Sequence, residues 1–277
     1  MMKTIVITGA TSGIGLAAAT AFGESGHRQV WLVRDTGKAQ KILDSRPSQT
    51  PVTVIPCELS DLASVRDAAE KVLSEVPQID VLLNNAGGIF MKNGLGKNGF
   101  ELSFAVNHLA HFLLTEILMP RLLESRARIV NVSSEAHRLG RIDFSELQTR
   151  TRYSAMRVYG DSKLCNIYFT KELHRRYASR GLTAYALHPG VVNTAFAGDA
   201  RGIAGWLNGL MKPFLISPQK GAETSIYLST APGIESLSGS YFKKCRPVTP
   251  SHRAQDPRTA EEVWELSERL TAPYLPA

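Results

Sequence analysis

Residues 4–15 read TIVITGATSGIG, a short β-branched run that passes through a glycine turn directly into a helix-forming stretch. No other feature of the chain constrains its fold as strongly. Gly9, Gly13 and Gly15 permit a tight turn and close backbone approach, and the following helix presents unpaired amide protons and the positive end of its dipole to an anion. In this strand–turn–helix setting the loop is suited to a dinucleotide pyrophosphate, with Thr11, Ser12 and Ile14 part of the same cradle. A purely structural glycine turn is the alternative.

The alternation continues along the chain. Apolar runs at 4–8, 29–33, 52–56, 81–83, 129–132 and 183–187 are predicted strands, and residues 13–25, 61–76, 99–123, 155–179 and 218–230 are predicted helices. Such a rhythm is that of repeated βαβ units. The expected architecture is α/β, a Rossmann-type doubly wound parallel sheet with helices on both faces. One domain over 1–277 is expected, with a cofactor-binding part at about 1–195 and a substrate lid and C-terminal part at about 196–277. Ser60 is expected to cap the helix that begins at Asp61. Residues 201–216 combine glycines with Trp206, Leu207, Leu210, Met211, Phe214 and Leu215, the pattern of a lid over an apolar substrate or of a helix packed on the core.

Composition narrows the function classes. Hydrophobic residues make up 43% and charged residues 21%, which fits a folded domain rather than a disordered or fibrous chain. The net charge is +7, but Lys and Arg are scattered without a long basic run, so no nucleic-acid partner is expected. Cys57, Cys165 and Cys245 are widely spaced with no CxxC pair, which points to a reducing compartment. With MMKTIVITGA entering a strand pattern at once, the expected location is cytoplasmic. The most apolar stretch, 102–119, is interrupted by Asn107, His108, His111 and Glu116, so no membrane span is expected. His108 and His111 have a helical metal-ligand spacing without an evident third ligand, and no metal is expected.

Chemistry is concentrated in a few positions. Arg34 follows the second predicted strand, where an arginine can pair with a 2′-phosphate and an acidic residue with a 2′-hydroxyl. NADP(H) is therefore the expected cofactor, with neighbouring Asp35 leaving NAD(H) as the second choice. Tyr159 and Lys163 in YGDSK lie four residues apart, on one face of a predicted helix. A free phenol titrates near about 10, and an ammonium one turn away is expected to favour the phenolate and make it a usable acid or base. Ser134, after the strand at 129–132, can hold a substrate oxygen within reach of that phenol.

TGATSGIG, NNAG, the asparagine of FAVNHLAHF, NVSS, YGDSK and HPGVVNT together resemble the short-chain dehydrogenase/reductase family, over essentially the whole chain. The resemblance implies that Tyr159 is the catalytic acid or base, and that Lys163 binds the nicotinamide ribose and tunes Tyr159. It also implies that Ser134, rather than Ser133, positions the carbonyl, and that Asn107 supports a water relay. Asn85, Ala86 and Gly87 would lie beside the cofactor, and Glu58 and Leu59 near the adenine, where relatives often carry an aspartate–leucine pair. Pro189, Gly190, Val192 and Thr194 would surround the nicotinamide amide and diphosphate.

Within the family the chain is similar to the retinol dehydrogenase branch, through NVSSEAHRLGRIDF, YGDSKLCNIYFTKEL, PFLISPQKGAETS and LSGSYFKKC. That similarity implies hydride transfer to or from a small apolar aldehyde, ketone or alcohol, retinoid-like substrates among them. Amphipathic stretches 101–122 and 159–177 could pair between two copies in a homodimer, as in many family members, or be buried within one chain. A non-catalytic NADP(H)-binding sensor, an NAD-linked alcohol dehydrogenase and a lyase or epimerase remain as alternative readings.

Overall fold

The computed structural model describes residues 2–46, 50–190 and 216–276. Eight strands form one sheet in the order β3-β2-β1-β4-β5-β6-β7-β8: β1 Thr4–Thr8, β2 Arg28–Val33, β3 Val52–Pro56, β4 Val81–Asn84, β5 Arg128–Val132, β6 Thr183–His188, β7 Tyr241–Lys243 and β8 Arg246–Pro247. All neighbours pair in parallel except β7 with β8. β5 is buried along its whole length and β1 along all but its first residue, because helices cover both faces, and this is why the strands read as unbroken apolar runs.

Helices α1 (Gly13–Glu24), α2 (Thr36–Ser45) and α6 (Pro218–Thr230) contribute to one apolar layer, with Phe22, Trp31, Tyr185 and Phe242 at its centre. The opposite layer is built from α3 (Leu62–Glu75), α4 (Leu102–Glu124), α5 (Ala155–Tyr177) and α7 (Pro257–Thr271), around Phe104, Phe112, Phe169 and Trp264. β1 lies between β2 and β4, so the winding reverses there and opens a crevice at the strands' carboxyl ends.

The parallel doubly wound sheet expected from the sequence is present, with several local differences. α2 went unpredicted because it buries only Ala39. β7 and α7 were missed as well; α7 is amphipathic, begins with Pro257 and is capped by Asp256. α3 is capped by Asp61, whose carboxylate accepts from the Ala63 and Ser64 amides, whereas the Ser60 hydroxyl donates to Glu58 at 2.9 Å. A carboxylate reaches two first-turn donors, which explains why Asp61 rather than Ser60 holds this position. α4 starts at Leu102 rather than at 99, where the Glu101 carboxylate accepts from the Ser103 and Phe104 amides at 2.9 and 2.8 Å.

α4 is apolar and long enough to cross a membrane by composition, but 83% of its most apolar window is buried inside the protein. Asn107, His108, His111 and Thr115 on it are also bonded internally, so it behaves as a core helix. The faces of α4 and α5 that could have paired with a second copy carry α7 instead: Trp264, 2% exposed, packs on Phe112 at 5.0 Å and Phe169 at 5.8 Å, with the Arg176 guanidinium 4.4 Å above its ring. The supposed lid at 201–216 lies outside the described residues except for Ile216, as does the boundary near 195.

Candidate active site

The glycine loop joins β1 to α1 at the crevice. Gly9 and Gly13 have φ of +74° and +52°, and a Cβ on Gly15 would fall 2.2 Å from the Gly9 carbonyl oxygen and 2.4 Å from Asn85 Nδ2. Only glycine fits there. Ser12, the N-cap of α1, makes no side-chain cap bond, whereas α2, α3, α6 and α7 are closed by Asp35, Asp61, Ser217 and Asp256. The first-turn amides of α1 are thus not capped by Ser12, which suits a phosphate oxygen. Thr11, Ser12, Gly13, Ile14 and Gly15 all belong to this rim.

Asn85 extends the cradle by donating from Nδ2 to the Thr8 carbonyl at 2.9 Å. The amides of Asn85 and Ala86 both donate to the Thr8 hydroxyl at 3.0 Å, locking the end of β4 to the end of β1. At the tip of β2, the Arg34 side chain is 81% exposed and sits 3.9 Å from the Glu58 carboxylate. Asp35 is engaged as the cap of α2, accepting from the Lys38 amide at 2.8 Å. Glu58 also accepts from the Ser60 amide and hydroxyl, and Leu59 is buried beside it. At the end of β6, Pro189 and Gly190 are described, and a Cβ on Gly190 would strike Ile216 at 2.4 Å. Val192 and Thr194 lie outside the described residues.

Tyr159, Lys163, Ser134 and Asn107 converge. Tyr159 and Lys163 stack along α5, with Lys163 Nζ 5.6 Å from the centre of the Tyr159 ring. Lys163, 2% exposed, donates to the Val132 carbonyl at 2.9 Å. Ser134 shares a hydrogen bond with Tyr159 and also caps a short turn by accepting from the Ala136 amide at 3.2 Å. Ser133 is engaged differently, donating to the Lys163 carbonyl at 2.7 Å.

Asn107 lies in a π-helical turn, Ala105–Leu109, inside α4. Such turns are rare and gather at functional sites. Fully buried, it accepts from the Gly88 amide at 2.9 Å, and its Nδ2 donates to the Gly88 carbonyl at 3.1 Å and to the Ser162 hydroxyl at 3.0 Å. A Cβ on Gly87 would meet Asn107 Oδ1 at 2.6 Å and Lys163 Nζ at 3.3 Å, so these groups share one wall.

The electrostatics correct one expectation. Burial pushes the Tyr159 phenol up to about 12 despite its bond to Ser134, and pushes Lys163 down to about 7. The ammonium was expected to lower the phenol, but desolvation disfavours both charged forms and outweighs the lowering effect of the Ser134 bond on Tyr159. The buried histidines of α4 are bonded within the core: His108 between Asn166 Oδ1 at 3.2 Å and Ser267 Oγ at 2.9 Å, and His111 against Thr8.

Sequence reasoning overlooked the parts that depend on distant contacts. Thr8, Ser162, Gly88 and Asp161 earn their places only through partners on other elements. Asp161, 1% exposed and set between Tyr159 and Lys163, accepts from the Arg141 amide at 2.7 Å, Arg150 at 2.8 Å and Arg157 at 2.9 Å. It thereby pins both ends of the segment between Ser134 and Tyr159.

The chain is similar to known proteins. The profile of the family described as short chain dehydrogenase matches residues 3–202. Retinol dehydrogenase 12 of Mus musculus is 42% identical over 271 residues, covering 96% of this chain and 85% of that protein. The crystal structure of an uncharacterized protein from Mycobacterium paratuberculosis superposes with a TM-score of 0.79 at 35% identity, covering 99% of this chain and 95% of the other. An NADPH-bound carbonyl reductase from chicken fatty liver shares the fold, with a TM-score of 0.69 at 21% identity and coverage of 90% and 99%.

Proposed function

The chain belongs to the short-chain dehydrogenase family and is an oxidoreductase that uses a nicotinamide dinucleotide; from that premise we propose that it transfers hydride between NADP(H) and the carbonyl or hydroxyl of a small apolar aldehyde, ketone or alcohol. The observation that carries this reading is the convergence of Tyr159, Ser134, Lys163 and Asn107 beside the glycine cradle.

The residues fit the cofactor: the first-turn amides of α1 would take phosphate oxygens, Asn85, Ala86 and Gly87 would border its path, and the exposed Arg34 would pair with a 2′-phosphate. Because Asp35 is engaged in capping α2, the arginine is the better-placed group for ribose recognition, which favours NADP(H) over NAD(H). When bound, the nicotinamide supplies the hydride.

In the reductive direction Tyr159 donates its proton to the nascent alkoxide while the Ser134 hydroxyl orients the carbonyl. A neutral phenol at physiological pH is the form this step requires, and burial keeps it so. Lys163 holds its place against Val132 and is poised to exchange a proton near neutrality, its pKa lying at about 7. Retinoid-like substrates are the precedent set by the named relative. The absence of a CxxC pair is compatible with a cytoplasmic setting.

The test is loss of nicotinamide absorbance when the protein is mixed with NADPH and a panel of apolar aldehydes. Tyr159→Phe should suppress the rate by about 10²–10⁴-fold. Binding of NADPH with no turnover across the panel would favour a sensor that has kept the fold.

A further inference from the structure

His111 touches neither of the groups proposed to meet substrate, yet it spans two of the supports beneath them. The ring is 2% exposed and lies one helical turn beyond Asn107 on α4. Nε2 is 3.0 Å from the Thr8 hydroxyl on β1, and Nδ1 is 3.3 Å from the main-chain carbonyl of Asn107. We propose that His111 is a positioning residue of this site, a neutral imidazole protonated on Nδ1 that ties the cofactor-side end of β1 to Asn107 in the π turn. The proposal rests on the oxidoreductase reading and adds to it a residue that touches no reacting atom.

Counting protons fixes the tautomer. The Thr8 hydroxyl accepts from the amides of Asn85 and Ala86, each at 3.0 Å, and so uses both lone pairs. Its one proton is left for His111 Nε2, which must therefore present a lone pair. Nδ1 faces a carbonyl oxygen and must carry the hydrogen. The other neutral tautomer would set an N–H against a hydroxyl with no lone pair to give, and a lone pair against a carbonyl. A doubly protonated ring would fail at Thr8 in the same way. Burial holds the imidazole neutral, down to about 3, and the nearby Lys163 ammonium pushes in the same direction.

The consequence is a continuous brace. The Asn107 carbonyl is held by His111, while its carboxamide grips Gly88 and Ser162, the residue before Lys163. Through Thr8 the same ring orders the amides of Asn85 and Ala86, which border the cofactor cradle. A slack brace would misplace the Tyr159–Lys163 face of α5 relative to that cradle. Errors of this kind cost rate more than affinity.

Two measurements test this. Long-range ¹H–¹⁵N spectra of histidine-labelled protein, assigned with His111→Gln, should show one neutral Nδ1–H ring for His111 from pH 8 to pH 5. In steady-state kinetics with NADPH and an apolar aldehyde, His111→Phe should lower kcat by about 10–100-fold while leaving KM for the aldehyde within about threefold. His111→Gln, which keeps one donor and one acceptor, should recover most of the loss. An Nε2–H ring, or a cation at pH 5, overturns the proposal, as does a His111→Phe protein with wild-type kcat or a defect that Gln fails to recover. If His111→Phe does not fold, the tautomer and the Gln variant decide. A wild-type protein with no NADPH binding and no turnover would instead overturn the oxidoreductase reading, and the spectra separate that outcome from a wrong assignment of the ring.

Discussion

Replacing Asp161 by Asn should be among the most destabilising single changes in the described structure, although the residue takes no part in the proposed chemistry. The Asp161 and Arg150 side chains are 1% and 4% exposed, and Arg150 Nε is already buried without a hydrogen-bond partner. Removing the carboxylate's charge strands a buried guanidinium, and breaking one side of such a pair costs about 3–5 kcal/mol. At about 2–4 °C per kcal/mol for a chain of roughly this size, the melting temperature should fall by about 6–20 °C. Arg150→Met should cost less than half as much, because Asp161 would keep Arg157 and the Arg141 amide. Thermal unfolding followed by circular dichroism at neutral pH measures both variants. An Asp161→Asn protein melting within about 2 °C of wild type, or an Arg150→Met protein melting lower than Asp161→Asn, would refute the reasoning.

Arg34→Asp should move cofactor preference toward NAD(H), raising KM for NADPH by about 10–100-fold through loss of a charge-assisted contact; an unchanged preference measured with both cofactors argues against Arg34 as the phosphate partner. Acid should destabilise the fold. His108 and His188 are lowered to about 4 and His111 to about 3, so the unfolded chain binds more protons as pH falls from 6.5 toward these values, and each buried imidazole that stays neutral costs about 1.4 kcal/mol of stability for every pH step of about one across that range. Glu116, raised to about 7, acts in the opposite sense between pH 7 and 4.5, but three histidines outweigh one carboxyl. Melting temperature should therefore decline from pH 6.5 to pH 4, and a flat or rising profile would contradict these burials. Because α7 covers α4 and α5, light scattering should find no dimer that depends on those helices, and Glu116→Lys or Trp264→Glu should lower stability rather than dissociate an assembly.

The sheet was legible in the sequence because its strands are short apolar runs bounded by turns, and from β1 to β6 all but the edge strand β3 are buried along most of their length, so length and apolar character alone locate β1 to β6 to within a residue or so. α2 left no such trace, since one buried alanine makes no periodic stripe. Of the site, the glycine loop and the Tyr159–Lys163 spacing were readable because each is local: one is a turn, the other a single helical turn. The roles of His111 and Asp161 were not, because each is defined by partners on separate elements. His111 sits 103 residues from Thr8, and Asp161 lies 20 from Arg141. The direction of the Tyr159 and Lys163 shifts was also beyond reach, since it depends on how deeply the finished fold buries the pair rather than on their separation.

The last long helix is made after everything it covers. While a ribosome is still extending the chain, Phe112, Phe169 and Tyr177 have no Trp264 to rest against, and the helix bearing the reactive phenol has one flank bare. Truncations or bulky fusions near residue 264 should therefore show up first as poor yield of folded protein, before any effect on turnover is measurable.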